Sequence, residues 1–245
     1  IIHWVDLNEA QRDVYETMRL AMDKKVRDEI TRKGVGRSQI IILEALLKLR
    51  QVCCDLRLVS DTPPKKGSTS GKLDSLMLML EELFAEGRRI LLFSQFTSML
   101  GLIEAELQKR KVRYAILTGQ TRDRRAPVKD FPRGTQQIFL ISLKAGGVGL
   151  NLTEADTVIH YDPWWNPAAE NQATDRAYRI GQEKPVFVYK MIARGTVEEK
   201  IQHLQQEKSD LAAGVLDGRI AGDWKLQDDD IDALFAPLPP KIEKR

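Results

Sequence analysis

The sequence predicts an α/β domain whose parallel sheet is covered by helices on both faces. Between about residues 89 and 192, short and largely apolar segments alternate with longer segments of helical periodicity. Such apolar segments are typical of strands buried on both faces, and their alternation with helices is typical of parallel βαβ units. Polar or glycine-rich residues follow several of these strands, at the edge where parallel sheets place their sites.

The first 60 residues predict two helices and no strand. Asn8 starts a capping-box pattern, after which apolar residues recur at helical spacing. A basic, glycine-containing break from Thr31 to Arg37 separates this helix from a second apolar run, Ile40 to Val52. We therefore assign residues 1–60 to a helical extension, followed at residues 61–71 by a polar, turn-rich linker.

After the linker, the pattern is that of the α/β domain, which we assign to residues 72–213. An apolar stripe from Leu73 to Phe84 predicts its first helix, and Gly87 ends it. The strands and helices that follow are predicted, in order, at Arg89–Phe93, Met99–Lys109, Val112–Leu117, Arg124–Phe131, Ile138–Ile141, Thr157–Tyr161, after Pro167, and at Val186–Ile192.

A last long helix and a tail close the chain. Thr196 and Glu199 form the capping box that starts this helix. Residues 214–245 are first acidic and then rich in proline, and we assign them to a tail. Its short apolar set, Ile231, Leu234 and Phe235, permits two alternatives: docking on the folded protein, or a flexible segment.

Composition excludes several classes of protein. The net charge of +3 does not indicate a nucleic-acid binder by itself, so any DNA surface must come from local patches. No apolar run has membrane-spanning length and no signal-peptide pattern occurs, which predicts a cytoplasmic protein in a bacterium or a nuclear one in a eukaryote, without a membrane partner.

Cys53 and Cys54 are adjacent and predict reduced core thiols. The three histidines, His3, His160 and His203, are too far apart to predict a metal site.

The sequence contains no phosphate-binding loop of the form Gly-x-x-x-x-Gly-Lys-Ser/Thr. The segment Gly67 to Lys72 is one residue short and lacks the final Ser or Thr, so we interpret Ser70 as the cap of the following helix. No predicted strand ends in the Asp-Glu pair that would hold magnesium. His160 lies in an apolar strand, which favours a structural histidine.

Three segments after predicted strands have residues suited to an anion. Ser94-Gln95-Phe96 is polar, although a helix cap explains it equally well. Ser142 to Leu152 contains three glycines in four positions, which let a backbone approach a phosphate, and a structural turn is the alternative. In Gln172 to Gln182, Arg176 and Arg179 project from one helical face and suit a phosphate. A surface pair bridged to Asp175 or Glu170 is the alternative.

Taken in order, these segments resemble the second-lobe motifs of SWI/SNF-type ATPases, which belong to helicase superfamily 2. The resemblance runs from Val5 to Gly214 and includes Ser70-Gly-Lys-Leu73, Leu91-Leu-Phe-Ser-Gln-Phe96, Leu117-Thr-Gly-Gln-Thr121, the glycine-rich stretch with Asp162-Pro-Trp-Trp-Asn-Pro167, and Gln172 to Gln182. Tyr178 stands where the family usually has histidine, and Cys54-Asp55 where it usually has Asn-His.

The resemblance implies a RecA-like lobe with defined roles for its residues. Arg176 and Arg179 would be arginine fingers that reach ATP and Mg²⁺ held by a separate first lobe. The family would place Gly147, Gly149 and Gln172 at the nucleotide, and Ser94, Gln95, Ser142, Lys144 and Trp165 at the backbone of double-stranded DNA. The resemblance therefore predicts the second lobe of a DNA-dependent ATPase that translocates along duplex DNA or remodels chromatin, and that is inactive without its first lobe.

Two other functions remain open at this stage. One is a scaffold that binds nucleic acid without catalysis, in which the arginines only bind phosphate. The other is a small-molecule α/β enzyme that uses the glycine-rich loop. An upstream phosphate-binding loop would favour the motor, and an absence of any affinity for DNA would favour the small-molecule enzyme.

Overall fold

The computed structural model describes residues 1–60, 67, 69–123, 125–143, 145, 152–164, 167–175, 185–214 and 226–240. In chain order, the strands and α-helices are β1 Ile2–Val5, α1 Glu9–Lys33, α2 Val35–Cys54, α3 Gly71–Ala85, β2 Ile90–Ser94, α4 Thr97–Lys109, β3 Tyr114–Leu117, α5 Arg125–Asp130, β4 Ile138–Ser142, β5 Thr157–His160, α6 Pro167–Thr174, β6 Phe187–Ala193, α7 Val197–Gly214 and α8 Asp228–Leu234. None of the helices in these ranges is long and apolar enough to cross a membrane.

The strands form one six-stranded sheet in the order β1-β6-β5-β2-β4-β3. The pairs of β2 with β4, β2 with β5, β3 with β4 and β5 with β6 are all parallel. The chain moves along the sheet in one direction in the connection that contains α4, and in the opposite direction in the connections that contain α5 and α6. Because crossovers between parallel strands are right-handed, we expect α4 on one face of the sheet and α5 and α6 on the other. The predicted three-layer parallel fold is confirmed.

The centre of the sheet is the core of this part of the protein. Every residue of β2, β4 and β5 is buried, as expected for strands covered on both faces. Leu91, Phe93, Phe139, Ile141 and Val158 pack together there. Burial of each side chain of this size contributes about 1.5–3 kcal/mol to the free energy of unfolding. The short apolar segments are therefore a main source of the stability of the sheet.

Strand β1 lies at one edge of the sheet, in a segment for which the sequence predicted only helices. The backbone nitrogen of Ile1, an amino group, donates to the carbonyl of Val188 (2.8 Å), and the amide of Lys190 donates to the carbonyl of Ile1 (2.9 Å). This pattern pairs β1 with β6 in parallel. Four residues are too few to show a strand period, and the partner strand is far away in the sequence, so only the tertiary fold reveals β1.

The chain divides into two compact units, residues 1–5 with 71–192, and residues 6–70 with 193–245. The first contains the sheet with α3–α6. The second contains α1, α2, α7 and α8, so the helix at residues 197–214 packs in the same unit as the two helices of the amino-terminal part of the chain. In this second unit the Tyr15 hydroxyl accepts a hydrogen bond from the Val197 amide (2.7 Å).

Several predicted caps and turns occur in the second unit. Asn8 accepts from the Gln11 amide (2.8 Å), as the capping-box pattern indicated. Gly34 has φ of 77° at the break between α1 and α2, a conformation that favours glycine. The Thr196 hydroxyl accepts from the Glu198 amide (3.2 Å) at the start of α7.

The apolar set of the tail is docked within the second unit. Ile231 and Leu234 are fully buried, and Phe235 is nearly so. The Arg19 guanidinium donates to the Phe235 carbonyl (2.9 Å), and the Leu238 amide donates to Glu16 (2.8 Å). Of the two alternatives for these residues, the structure shows docking.

Candidate functional site at the carboxyl edge of the sheet

The carboxyl ends of three neighbouring strands form one edge of the α/β unit. Ser94, the last residue of β2, is in register with Ser142, the last residue of β4. On the other side of β2, Phe93 is in register with His160, the last residue of β5. The parallel register therefore brings the segments after β2, β4 and β5 together, although 68 residues separate Ser94 from Asp162 in the sequence.

Asp162 connects the segments after β5 and β2. Its carboxylate is buried and accepts a hydrogen bond from the Ser94 hydroxyl and another from the Gln95 amide (3.1 Å to the second oxygen). The Ser94 hydroxyl also accepts from the Phe96 amide (3.1 Å). The sequence indicates no role for Asp162, because the two strand ends become neighbours only in the fold.

The predicted DNA-binding residues Ser94 and Ser142 have buried side chains. The Ser142 hydroxyl accepts from the Ala145 amide (3.2 Å) and so caps the turn that begins the glycine-rich stretch. Both hydroxyls are engaged inside the protein, and a phosphate would reach them only if these loops moved. Gln95 is half-buried. Lys144, Gly147 and Gly149 lie outside the described residues, and their roles stay predictions.

Helix α6 follows this edge and leads to the predicted arginine pair. Gln172, predicted at the nucleotide, is exposed on it. Glu170 in its first turn is buried; its carboxylate accepts from the Trp164 amide (2.6 Å) and forms an ion pair with Lys190 of β6 (2.5 Å). Glu170 is thus paired with a lysine of the sheet. Trp165, Arg176 and Arg179 lie outside the described residues.

His160 is a buried structural histidine, as predicted, but only one of its ring nitrogens has a hydrogen-bond partner in the described parts of the chain. Nε2 lies 3.0 Å from the Thr174 hydroxyl, and the ring stacks on Phe93 with centroids 5.7 Å apart. Burial lowers the pKa of His160 from 6.5 to about 4, because the charged imidazolium would lose its hydration; the Glu170 carboxylate opposes this shift and Lys190 adds to it.

Lys72 is fully buried in the first turn of α3. Its ammonium donates to the carbonyls of Tyr161 (3.1 Å) and Met191 (3.3 Å) and lies 5.4 Å from the centroid of the Tyr161 ring. These contacts tie α3 to the carboxyl ends of β5 and β6. Lys72, which ends the glycine-rich segment that begins at Gly67, is therefore engaged inside the α/β unit.

Residues 71–181 match the sequence profile of the helicase conserved C-terminal domain. The SWI2/SNF2 ATPase C-terminal domain of Sulfolobus solfataricus is 28% identical, with a TM-score of 0.69, over 95% of this chain and 92% of that domain. The ATPase core of the same archaeal protein, solved in complex with double-stranded DNA, is 32% identical with a TM-score of 0.72, over 88% of this chain and 45% of the core. This chain is a C-terminal helicase lobe of the SWI2/SNF2 type.

Longer proteins contain relatives of this helicase lobe. An uncharacterized ATP-dependent helicase of Mycoplasma genitalium is 34% identical over 216 residues, which are 87% of this chain and 20% of the relative. The chromatin-remodeling ATPase INO80 of Aspergillus oryzae is 47% identical over 156 residues, which are 62% of this chain and 11% of the relative. The chain therefore spans between about a tenth and a fifth of the length of these relatives.

The predicted site residues of the helicase lobe, from Ser94 to Arg179, all lie within the matched range. The described residues contain no group of three or more His, Cys, Asp or Glu side chains placed to hold a metal ion. Within this range the structure adds three polar groups: Asp162, which joins the segments after β5 and β2, and Glu170 and Thr174, which join α6 to β6 and β5. Their only signal in the sequence was their position just after strands or near the arginine pair.

Proposed function

We propose that the chain is the second motor lobe of an ATP-driven translocase that tracks along double-stranded DNA. The observation that carries this proposal is the similarity, in both sequence and fold, to the Sulfolobus SWI2/SNF2 ATPase core solved with DNA. The lobe would act with the N-terminal RecA-like lobe of the same protein. That first lobe would bind ATP and Mg²⁺, because this sequence has no phosphate-binding loop.

Arg176 and Arg179 are the residues proposed to act on ATP. Each guanidinium offers planar, forked donors and stays charged, so the pair can neutralise the charge that develops on the transferring phosphoryl group. Gly147, Gly149 and Gln172 would lie beside the nucleotide. The exposure of Gln172 on α6, the helix that leads to the arginines, supports its assignment to a cleft between lobes.

The DNA backbone is proposed to contact the segments after β2, β4 and β5. Lys144 and Trp165 would make the outer contacts, and Gln95 would contribute from the loop after β2. Ser94 and Ser142 are buried, so we propose that they contact phosphate only after these loops rearrange. Contacts of this kind position the duplex without reading its sequence. ATP hydrolysis would then open and close the two lobes and step them along DNA.

Two further expectations belong to this proposal. The isolated chain should be inactive as an ATPase, because the triphosphate and its metal are held elsewhere. The similarity to INO80 supports a chromatin substrate and a nuclear location if the source is a eukaryote; in a bacterium we expect a cytoplasmic translocase. A membrane is not among the proposed partners.

The full-length protein that carries this chain tests the arginine assignment. Arg176→Ala and Arg179→Ala should each lower DNA-stimulated kcat by about 10³-fold or more, while binding of a fluorescent ATP analogue persists. Lysine at either position should not restore turnover, because it lacks the planar fork. Arg110→Ala removes an exposed arginine that is ion-paired with Glu106 (2.5 Å) on α4, and this control should keep normal turnover. Near-normal kcat in both alanine variants would assign the pair to the surface.

A further inference from the structure

Helix α6 is attached to the sheet by two partly buried polar contacts, and the arginine pair follows it directly along the chain. Its last residue, Thr174, precedes Arg176 by two positions. The first contact involves Glu170, in the first turn of the helix, and the second involves Thr174 at its end. The two residues are four positions apart and therefore lie on the same face of the helix.

The Glu170 contact joins α6 to two other segments. The carboxylate is 1% exposed, accepts from the Trp164 amide (2.6 Å) and is paired with Lys190 of β6 (2.5 Å). A buried charge is stable only where it is paired and hydrogen-bonded, so these two partners determine where the first turn of α6 lies. Moving the helix would break contacts with β6 and with the segment after β5 together.

The Thr174 contact holds the other end of α6. Its hydroxyl lies 3.0 Å from Nε2 of His160, which is fully buried and stacked on Phe93 of β2. Nδ1 of His160 has no hydrogen-bond partner among the residues that the structure describes. Loss of the Thr174 hydroxyl would leave both polar atoms of a buried ring unpaired, so the geometry of this contact is strongly specified.

We propose that Glu170, and Thr174 together with His160, are positioning residues for the arginine pair. They attach one face of α6 to β5 and β6 at both ends of the helix. The position and direction of the backbone at Thr174, two residues before Arg176, are therefore fixed. This inference rests on the proposed function, because it assumes that the two arginines act on ATP. It predicts an effect on turnover and none on the affinity for DNA.

Single substitutions in the full-length protein provide the first test. Thr174→Val keeps the shape of the side chain and removes the hydroxyl, and Glu170→Gln keeps the shape and removes the charge. Each should lower kcat by about 10- to 100-fold, since a displacement of about 1 Å in a catalytic group has an effect on the order of 10²-fold. The KM for ATP and the Kd for DNA should change by less than about threefold, because neither residue is proposed to bind either ligand.

Conservative and control variants separate positioning from general stability. Thr174→Ser retains a hydroxyl and should recover most of the wild-type kcat. Glu106→Gln is the matched control, because Glu106 pairs with Lys109 (2.6 Å) and Arg110 (2.5 Å) on α4, and it should keep normal kcat. Melting temperatures show whether each variant is folded. If Thr174→Val does not fold, Glu170→Gln decides the question with the same readouts.

The decisive measurement combines substitutions. If Thr174 acts through Arg176, adding Thr174→Val to Arg176→Ala should lower kcat by less than about twofold further, since residues that act as a unit are not additive. A full additional 10-fold loss would overturn the inference, as would a normal kcat in both Thr174→Val and Glu170→Gln. A normal kcat in both Arg176→Ala and Arg179→Ala would instead overturn the proposed function, so the two failures are distinguishable.

Discussion

The neutral, buried His160 predicts a specific loss of stability in acid. Burial lowers the pKa of this imidazole from 6.5 to about 4 in the folded protein. Above pH 6.5 the ring is neutral in both the folded and the unfolded chain and contributes no pH dependence. As the pH falls below 6.5, the unfolded chain takes up a proton that the folded protein excludes, so the free energy of unfolding falls until about pH 4.

The magnitude follows from the two pKa values. A shift of this size corresponds to about 3 kcal/mol of destabilisation when the pH is below both values. At pH 5.0, where the folded ring is still neutral, about 2 kcal/mol of it should already be lost relative to pH 7.5. This is a large part of the stability of an ordinary domain, which is about 5–15 kcal/mol.

Urea unfolding at pH 7.5 and pH 5.0 measures this effect. His160→Phe keeps a ring against Phe93 and cannot titrate, so the wild type should lose about 2 kcal/mol more than the variant between the two pH values. Other titrating groups are common to both proteins and cancel in this difference. Equal losses in the wild type and His160→Phe, within about 0.5 kcal/mol, would refute the reasoning.

Three further predictions concern the chain by itself. The purified chain should show no DNA-stimulated ATPase activity. An ATPase activity that co-purifies with the chain and is lost in Arg176→Ala would contradict this. Fluorescence anisotropy should give weak duplex binding with a logarithmic salt slope of roughly two to four. Lys144→Ala should lower that slope by about one, and Trp165→Ala should weaken binding with little change in slope. Leu234→Ala, at a fully buried position of α8, should cost about 2–5 kcal/mol or release the tail to proteolysis, whereas exposed Asp229→Ala should do neither.

Local sequence patterns predicted most of the elements in the α/β unit. The predicted strands at Ile138–Ile141 and Thr157–Tyr161 agree with β4 and β5 within one residue, because wholly buried strands are apolar throughout and contrast with the helices beside them. Local sequence patterns do not reveal features whose stability comes from partners that are distant in the sequence. Four residues at the amino end become a strand only because β6 provides the hydrogen bonds, and α7 joins the helical unit through contacts such as that between Tyr15 and Val197.

For the site, the sequence by itself determined the type of lobe and which segments follow the strand ends. The order of its motifs, its glycine-rich stretch and its paired arginines are properties of the chain alone. Only the tertiary structure decided which polar groups meet there. Asp162 pairs with Ser94, and Glu170 with Lys190, because the parallel register places β2 beside β5 and β5 beside β6. A buried charge or hydroxyl is placed by the partner that satisfies it, and that partner lies on a strand which local sequence cannot identify.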